Sequence, residues 1–477
     1  MFSAYNAIVP MACVTAAAIA AMLAEAFREP GERMPVMPFL LALVGAALSA
    51  FVLWDHQASS FGVVSADNFG LFMTGILLVV GMLSLVLSGP SIERLGLPVG
   101  EYYALMLFAL AGMILMATAT DLLVIFLALE TMSLAIYTLT GVRRESAVAT
   151  EAAFKYFLLG AFASAFFLYG VALTYGLTGS THLDRIGAAI AAQSMSLSPM
   201  HYVAMGMLLV GFAFKISAVP FHMWTPDAYE GAPSAVTGFM STGVKAAAFA
   251  AFVRVFLAAL TPLHAAWAPV IWVVTAATMI IGTVVGVRQA SVKRMLAYSS
   301  IAHAGYLLLA LVAANDTGKS AILFYLLTYA VTNLGAFGVI ALVESSDKAN
   351  DQVTDFAGLW NTHPVLATLM TIFLLSLGGF PPMAGFIGKW YVFTAALRAG
   401  YVWLSIIGVL SSVVSVFYYL RIVVQMFMTP TETPATFPKV PAFAGAALVV
   451  SALLIFYLGI LPTQAINWAA ASISTIF

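Results

Sequence analysis

Long apolar runs, separated by short polar or Pro/Gly-rich breaks, dominate the chain. A helix that crosses a membrane needs about 20 mostly apolar residues, because each residue adds a rise of about 1.5 Å. The pattern predicts an all-α, polytopic membrane protein that forms a single membrane domain over residues 1–477. It predicts fourteen transmembrane helices, at 4–24, 36–54, 68–89, 101–119, 121–140, 152–177, 202–221, 232–258, 264–287, 296–314, 319–343, 363–398, 401–426 and 441–463.

Two of these predicted helices are interrupted by proline. The segment 363–398 is too long for one straight span, and its centre carries Pro381 and Pro382 after two glycines. Pro220 lies at the end of predicted helix 7. Proline frees a backbone carbonyl, and a freed carbonyl survives in a membrane only where protein or water can satisfy it. We therefore predict that helices 7 and 12 are broken and that each break borders a hydrated pocket.

Composition agrees with a membrane protein and excludes several other classes. The chain is 62% hydrophobic and 8% charged, far from the quarter that is typical of soluble domains. A net charge of −1 argues against a nucleic-acid partner. The lone Cys13 cannot form an internal disulfide, an iron–sulfur site or a structural zinc site. With no Gly-rich phosphate loop after a strand pattern, we expect no cofactor in this chain.

The distribution of lysine and arginine predicts the orientation, since cytoplasmic loops are enriched in these residues. The N-terminus lacks a positive segment and is interpreted as a retained membrane helix. With that N-terminus in the periplasm, both termini are periplasmic, and three cations fall in periplasmic loops (Arg185, Lys319 and Arg398). Ten fall in cytoplasmic connections: Arg28, Arg33, Arg94, Arg143, Arg144, Arg288, Lys293, Arg294, Lys348 and Lys439. We predict a multi-pass protein of a bacterial inner membrane.

Four ionisable residues lie deep within predicted helices, namely Glu130, Lys215, Lys245 and Lys389. A charge at bilayer depth costs at least about 2.5–3.5 kcal/mol, so such groups usually serve a function. Desolvation favours the neutral form of a lysine and a nearby carboxylate favours the charged form. A lysine balanced between the two suits a proton carrier. The alternative, that a cation near a helix end extends to the interface, fits Lys155, Arg254 and Arg421 better.

The spacing of the two broken helices indicates an internal duplication. Each break lies beside a lysine, and the breaks are five helices apart. We predict three N-terminal helices (1–100), a first five-helix repeat (101–258), a second (264–426) and a C-terminal helix (441–477). Because five is odd, the two copies have inverted topology, a design found in transporters.

Three segments carry a resemblance to a known family. They are 220–239 (PFHMWTPDAYEGAPSAVTGF), 297–306 (AYSSIAHAGY) and 379–389 (GFPPMAGFIGK). They closely resemble subunit N, an antiporter-like subunit family of proton-pumping NADH:quinone oxidoreductase, or respiratory complex I. The resemblance implies a non-redox subunit of a translocase, packed in lipid against other membrane-arm subunits. It implies that NAD, FMN, iron–sulfur clusters and quinone belong to partner subunits.

The resemblance also assigns roles to residues. Glu130, Lys215, Lys245 and Lys389 match the ionisable residues of helices 5, 7, 8 and 12 in the family. His303 matches a histidine early in helix 10 and is a candidate for a proton relay. Lys155, His222 and Asp227 are secondary candidates for the proton path, although His222 and Asp227 equally fit a loop that is capped and tethered.

We hypothesise that Glu130 pairs with Lys215, and that weakening this pair releases a proton towards Lys245 and Lys389. One alternative is a subunit of a multisubunit sodium/proton antiporter, which looks similar in helices 5, 7, 8 and 12. The run Trp-Thr-Pro-Asp-Ala-Tyr-Glu-Gly-Ala-Pro favours subunit N. A second alternative is a structural subunit that does not pump, but a scaffold has no need of lysines at the membrane midplane.

Overall fold

A computed structural model describes residues 4–29, 34–193, 197–344, 351–430 and 439–476. The cations Arg33 and Lys348, used above to predict orientation, lie outside these residues. The helices of the first half are α1 (Val9–Ala26), α2 (Met37–Leu53), α3 (Asn68–Arg94), α4 (Val99–Thr118), α5 (Leu122–Thr140), α6 (Ala147–Thr178), α7 (Leu183–Ala192), α8 (Pro199–Lys215), α9 (Trp224–Gly231), α10 (Ser234–Phe239) and α11 (Lys245–Val253). Those of the second half are α12 (His264–Val287), α13 (Val292–Ala313), α14 (Asp316–Val343), α15 (Leu359–Thr362), α16 (Pro364–Gly378), α17 (Ala384–Arg398), α18 (Val402–Met428), α19 (Ala442–Ile460) and α20 (Thr463–Ile473).

The chain is a mostly helical membrane protein. Within the described residues, eleven helices are long and apolar enough to cross a membrane. They are Asn6–Ala26, Asn68–Arg94, Val99–Thr118, Leu122–Thr140, Ala147–Thr178, Ser234–Ala259, Thr261–Val287, Val292–Ala313, Asp316–Val343, Val402–Met428 and Ala442–Ile460. Two shorter apolar helices, α2 and α16, fall below the length of a full span.

Some elements were not predicted from the sequence. A short antiparallel hairpin joins β1 (Ala58–Ser60) to β2 (Val64–Ala66) between α2 and α3. Two short helices were also not predicted: α7 follows the long helix α6 after a short connection, and α20 follows α19 in the same way. The segment Ser234–Ala259 is one helix with wider π turns at Met240–Val244 and Arg254–Ala259. Because π turns often occur at functional sites, the turn that immediately precedes Lys245 is of interest.

The helices end close to the two predicted proline breaks. α8 ends at Lys215, Pro220 follows in the connection, and α9 begins at Trp224. α16 ends at Gly378 because Gly379 adopts a left-handed conformation, with φ +86°. That conformation is accessible to glycine at little cost and commonly ends a helix. α17 then starts at Ala384, after Pro381 and Pro382.

The interior of the bundle is formed by three helices. The most apolar 18-residue windows of Ser234–Ala259, α13 and α14 are each 94% buried, against 33% for α1, α18 and α19. The peripheral helices expose large apolar side chains on their outer faces, for example Phe162 on α6 and Trp403 on α18. Any polar side chain on the three central helices is therefore shielded from lipid by the rest of the chain.

Candidate functional site

Lys215 lies at the end of α8 in an aromatic enclosure. Its side chain is 2% exposed, and its Nζ donates to Ser133 Oγ at 2.7 Å and to Tyr137 OH at 3.4 Å. The Nζ also lies 5.2 Å and 5.5 Å from the ring centroids of Tyr137 and Tyr156, within the range of a cation–π contact. The lysine amine is thus held by two hydroxyls and two ring faces.

Glu130 does not form the ion pair with Lys215 that the sequence suggested. No carboxylate among the described residues lies within 4 Å of the Lys215 amine, and Glu130 instead accepts a hydrogen bond from Ser164 Oγ of α6. Ser133, which accepts a hydrogen bond from the Lys215 amine, lies three residues after Glu130 on the same face of α5, and its own hydroxyl donates to the carbonyl of Leu129. Glu130 still interacts electrostatically with Lys215. The predicted ion pair is wrong because the Glu130 carboxylate contacts α6, while the Lys215 amine takes hydroxyl groups of α5 as its partners.

Lys245 lies in the interior of the bundle, 1% exposed, immediately after the first π turn. Its Nζ donates to the carbonyl oxygen of Ser300 at 2.7 Å and to Ser300 Oγ at 2.6 Å. Tyr329 OH of α14 donates to the same Ser300 Oγ at 2.8 Å. The residue therefore connects α11 to α13 and α14 through hydroxyl groups, again without a carboxylate partner.

His303 stands one turn beyond Ser300 on α13. It is 4% exposed; its Nδ1 lies 2.7 Å from Tyr325 OH and its Nε2 lies 3.2 Å from Tyr419 OH. A cavity of about 10 Å³, room for roughly one water, adjoins the ring and is lined by His303, Tyr325, Thr328, Tyr329, Thr332, Ser376, Leu377 and Gly385. The imidazole is thus surrounded by groups that can both donate and accept a proton.

Lys389 is folded back onto the end of α16. Its Nζ donates to the carbonyl oxygens of Leu377 and Gly378 at 2.9 Å and 3.0 Å, and to Ser412 Oγ at 2.8 Å. The last carbonyls of a helix have no partner within it and carry partial negative charge. The break in the chain therefore creates the acceptors that hold this amine. Leu377, one of those acceptors, also lines the cavity beside His303.

Lys155 and Asp227 are brought together at the end of the bundle near α9. Lys155 Nζ contacts Glu151 at 2.7 Å and Asp227 at 2.9 Å, and Asp227 also accepts from Arg294 Nη1 at 2.8 Å. Burial alone would raise the pKa of Asp227, but the hydrogen bonds and charges of the two cations outweigh it and hold the pKa below its usual value. The Lys155 side chain is 44% exposed, so these groups form the rim of the site.

His222 and Arg254 lie in different environments. His222 is half-buried beside Pro220, and burial lowers its pKa. Arg254 does not extend to an interface: it is 3% exposed, and its Nη2 contacts Asp67 Oδ1 at 2.7 Å. Its Nε donates to the carbonyl of Ala117 at 2.9 Å. Arg254 is buried although it lies near a helix end, because Asp67, the N-cap residue of α3 and distant in sequence, supplies a carboxylate partner.

The sequence located the buried cations but not the groups that hold them. A serine hydroxyl from another helix contacts the amine of each of Lys215, Lys245 and Lys389, and nothing in the local sequence of these serines distinguishes them from ordinary membrane serines. No group of three or more His, Cys, Asp or Glu residues in the described part of the chain could hold a metal ion. The arrangement is suited to passing protons between amines, hydroxyls and an imidazole.

Comparison with known proteins identifies the relatives of this chain. The family model described as "NADH:quinone oxidoreductase/Mrp antiporter, TM" matches residues 119–415. NADH-quinone oxidoreductase subunit N of Trichlorobacter lovleyi is 44% identical over 99% of this chain and 97% of its own. A chain of respiratory complex I from Thermus thermophilus superposes with a TM-score of 0.82 at 37% identity, covering 97% of this chain and 99% of that one. A chain of the Mrp complex from Dietzia sp. DQ12-45-1b has a TM-score of 0.85 at 22% identity, covering 99% and 97% respectively, and shows a shared fold.

Proposed function

The chain belongs to the NADH:quinone oxidoreductase/Mrp antiporter membrane family, among relatives named subunit N, and we propose that it translocates protons as an antiporter-like membrane subunit of NADH:quinone oxidoreductase. One observation carries this proposal. Three lysine amines, on Lys215, Lys245 and Lys389, are 2%, 1% and 5% exposed, and each is held by hydroxyl and carbonyl groups without a carboxylate among the described residues. A scaffold would gain nothing from burying three amines at such a cost.

The path runs from Glu130 and Lys215 to Lys245, His303 and Lys389. Lys245 and His303 are linked by a short series of contacts. The Ser300 hydroxyl accepts hydrogen bonds from both the Lys245 amine and Tyr329 OH. The ring centroid of Tyr329 lies 5.1 Å from that of His303. The water-sized cavity leads from His303 to the carbonyl that holds Lys389. Between Lys215 and Lys245 the proton crosses through water. Lys155, His222 and Asp227 belong to the rim at which protons enter.

Glu130 acts on Lys215 through its electrostatic field rather than by direct contact. A movement of α5 that turns the Ser133 hydroxyl away removes one hydrogen bond of the Lys215 amine. The same movement changes the electrostatic field that Glu130 exerts on that amine. Coupling to the redox arm is therefore expected to act on the position of α5 against α6 and α8. The redox chemistry, with NAD, FMN, iron–sulfur clusters and quinone, takes place in partner subunits of the membrane and peripheral arms.

The chain is further proposed to cross the membrane fourteen times with two inverted repeats, at 101–258 and 264–426. Two pairs of features with equal separation along the chain support this. Gly112 on α4 and Gly282 on α12 each approach the backbone nitrogen of the following helix so closely that a Cβ would lie 2.7 Å away. The bridges Asp121–His182 and Ser291–Gln352 recur at the same separation. In this topology helices 7 and 12 are the broken spans, and both termini face the periplasm of a bacterial inner membrane.

A sodium/proton antiporter subunit is the alternative. The TM-score with the Mrp chain is as high as that with the complex I chain, so the fold does not separate the two functions. Sequence identity does, at 44% to subunit N of Trichlorobacter lovleyi against 22% to the Mrp chain. Identity over nearly the whole chain therefore favours the oxidoreductase.

The proposal is tested with Lys215→Ala in the whole complex, reconstituted into proteoliposomes. We expect proton translocation per electron to be lost, while assembly is retained. Lys439→Ala, at an exposed lysine outside the helices, is the matched control and should pump normally. Normal pumping by the Lys215 variant would favour the alternative of a structural subunit.

A further inference from the structure

Glu344, which follows the last residue of α14, is a buried carboxylate that the proton path described so far does not use. It is 2% exposed, and its Oε2 accepts a hydrogen bond from the backbone nitrogen of Ser234, the first residue of α10, at 3.1 Å. Its Oε1 lies 3.7 Å from Arg143 Nη1. A buried carboxylate is expensive unless it is paired or serves a purpose, and among the described residues the ion pair with Arg143 is long.

Three cations face Glu344 from different elements. Arg143 approaches from the α5–α6 connection. Arg94, at the end of α3, interacts with it electrostatically and donates to the carbonyls of Ala341 and Leu342 at 3.0 Å and 2.8 Å. Lys293 of α13, 3% exposed, donates to the carbonyl of Ala232 at 2.6 Å and also interacts with Glu344. The carboxylate is therefore attracted by all three cations.

An open cavity lies next to this cluster. It has a volume of about 870 Å³ and is bounded by the α3–α4 and α5–α6 connections, with Glu101, Tyr102 and Arg143 among its lining residues. Arg143 is 29% exposed in its side chain, whereas Glu344 is 1% exposed. Arg143 therefore separates the wide cavity from the buried carboxylate. In the proposed orientation this cavity opens to the cytoplasm.

A line of buried polar side chains continues from Glu344 towards Lys245. Ser234, Thr237, Ser241 and Lys245 follow one another at intervals of three or four residues, which keeps them on one side of the helix. All four are at most 1% exposed. On the facing α14, Asn333 donates through Nδ2 to Ser241 Oγ at 2.8 Å. From Ser234 to Lys245 the line covers about 16 Å.

Several oxygens along this line have no protein partner within the described part of the chain. They include Ser234 Oγ and Asn333 Oδ1, and also Ser84 Oγ and Ser91 Oγ on α3, which packs against α10. Buried polar atoms of this kind normally pair with ordered water. A hydroxyl can donate and accept at once, so hydroxyls alternating with water form a path for protons.

The polar line ends at Lys245. Every residue from 246 to 253 is apolar and buried, and the next polar side chain on the helix is Arg254, which is engaged by Asp67. The helix is therefore polar on the Glu344 side of Lys245 and dry on the other. This asymmetry supports entry of protons along the line and no exit beyond it.

We propose that Glu344 is a proton acceptor at the mouth of an input branch. The hydroxyls of Ser234, Thr237 and Ser241, with water between them, conduct protons from it to Lys245, and the Asn333 amide holds Ser241 in place. This inference rests on the proposed function and adds a second entry, separate from the rim formed by Lys155 and Asp227. In it, Glu344 takes a proton from the cavity and passes it along the line, and Arg143 attracts the carboxylate again once it is ionised.

The experiment compares Glu344→Gln with Glu344→Asp in the intact complex, reconstituted into proteoliposomes. Glutamine can still accept the hydrogen bond from Ser234 but cannot carry a proton, whereas aspartate can carry one. We expect at least a threefold loss of proton translocation per electron in the glutamine variant, and at least half of normal translocation in the aspartate variant. Glu101→Gln, at the exposed wall of the same cavity, is the matched control and should pump normally.

A structural role for Glu344 predicts the opposite order, because glutamine preserves the contact that shorter aspartate disturbs. Normal pumping by the glutamine variant, or equal loss in both variants, would overturn the proposal. A Lys245→Met arm separates this failure from that of the proposed function. Loss of pumping in that arm alone would leave the function standing without the Glu344 branch, whereas normal pumping in it would contradict the function itself.

Discussion

Replacing Lys245 by methionine is expected to separate stability from proton transfer. The amine makes two hydrogen bonds, to the carbonyl oxygen and to the Oγ of Ser300, at 2.7 Å and 2.6 Å. Hydrogen bonds from a charged group contribute about 1.5–3 kcal/mol each, so Lys245→Met loses about 3–6 kcal/mol. Against this, the variant no longer buries a lysine at bilayer depth, which costs about 2.5–3.5 kcal/mol. The net destabilisation is expected to lie between about −0.5 and 3.5 kcal/mol.

Alanine at the same position provides the contrast. Lys245→Ala loses the same hydrogen bonds but also leaves a cavity, and large-to-small changes in a packed interior cost about 2–5 kcal/mol. The thermal unfolding of the purified complex should therefore rank the wild type and the methionine variant above the alanine variant. Both variants should fail to translocate protons, since neither side chain can carry one.

The assay combines proton uptake by proteoliposomes with the rate of electron transfer in the presence of an uncoupler. Lys439→Met, which removes an exposed lysine, is the control for loss of charge alone. A methionine variant that pumps at the wild-type ratio would refute the role of Lys245. A methionine variant as unstable as the alanine variant would refute the energetic reasoning. It would mean that the amine contributes stability that an apolar side chain of similar size cannot replace.

Two further predictions concern the frame around the site. Gly112→Ala would place a Cβ 2.7 Å from the backbone nitrogen of Met132. Because the backbone cannot move aside as a side chain can, we expect α4 and α5 to separate, with a loss of stability of about 1–3 kcal/mol and weaker pumping. Gly75→Ala, whose Cβ would meet nothing within 4 Å, is the control and should be neutral. Asp227→Asn should lower the stability of the complex by on the order of 1 kcal/mol at neutral pH. Because the pKa of Asp227 is depressed, the stabilisation by its two cations is fully present above its ordinary pKa of about 4 and is lost only as pH falls through the lower value. The difference between variant and wild type should thus be constant from pH 6 to pH 8, and a difference that grows or shrinks across that window would contradict the assignment.

The sequence by itself determined the class of the protein and the positions of its costly charges. An apolar run of about 20 residues is long enough to cross a membrane as a helix, and a helix pairs its backbone groups within the segment, where no water is present to do so. A lysine in the middle of such a run is visible without coordinates, as Lys215 and Lys245 were. The proline break before Lys389 was visible for the same reason, since proline removes a backbone donor whatever surrounds it.

The partners of those charges were decided by tertiary structure. Lys215 meets Ser133 rather than Glu130, and Lys389 meets the carbonyls that the break exposes. Arg254 was expected at an interface but is buried against Asp67, and Glu344 gave no signal because it follows a helix end, where a carboxylate is ordinary. Contacts between helices far apart in sequence depend on how their faces pack. Local pattern fixes which face is polar, but only packing decides what that face meets.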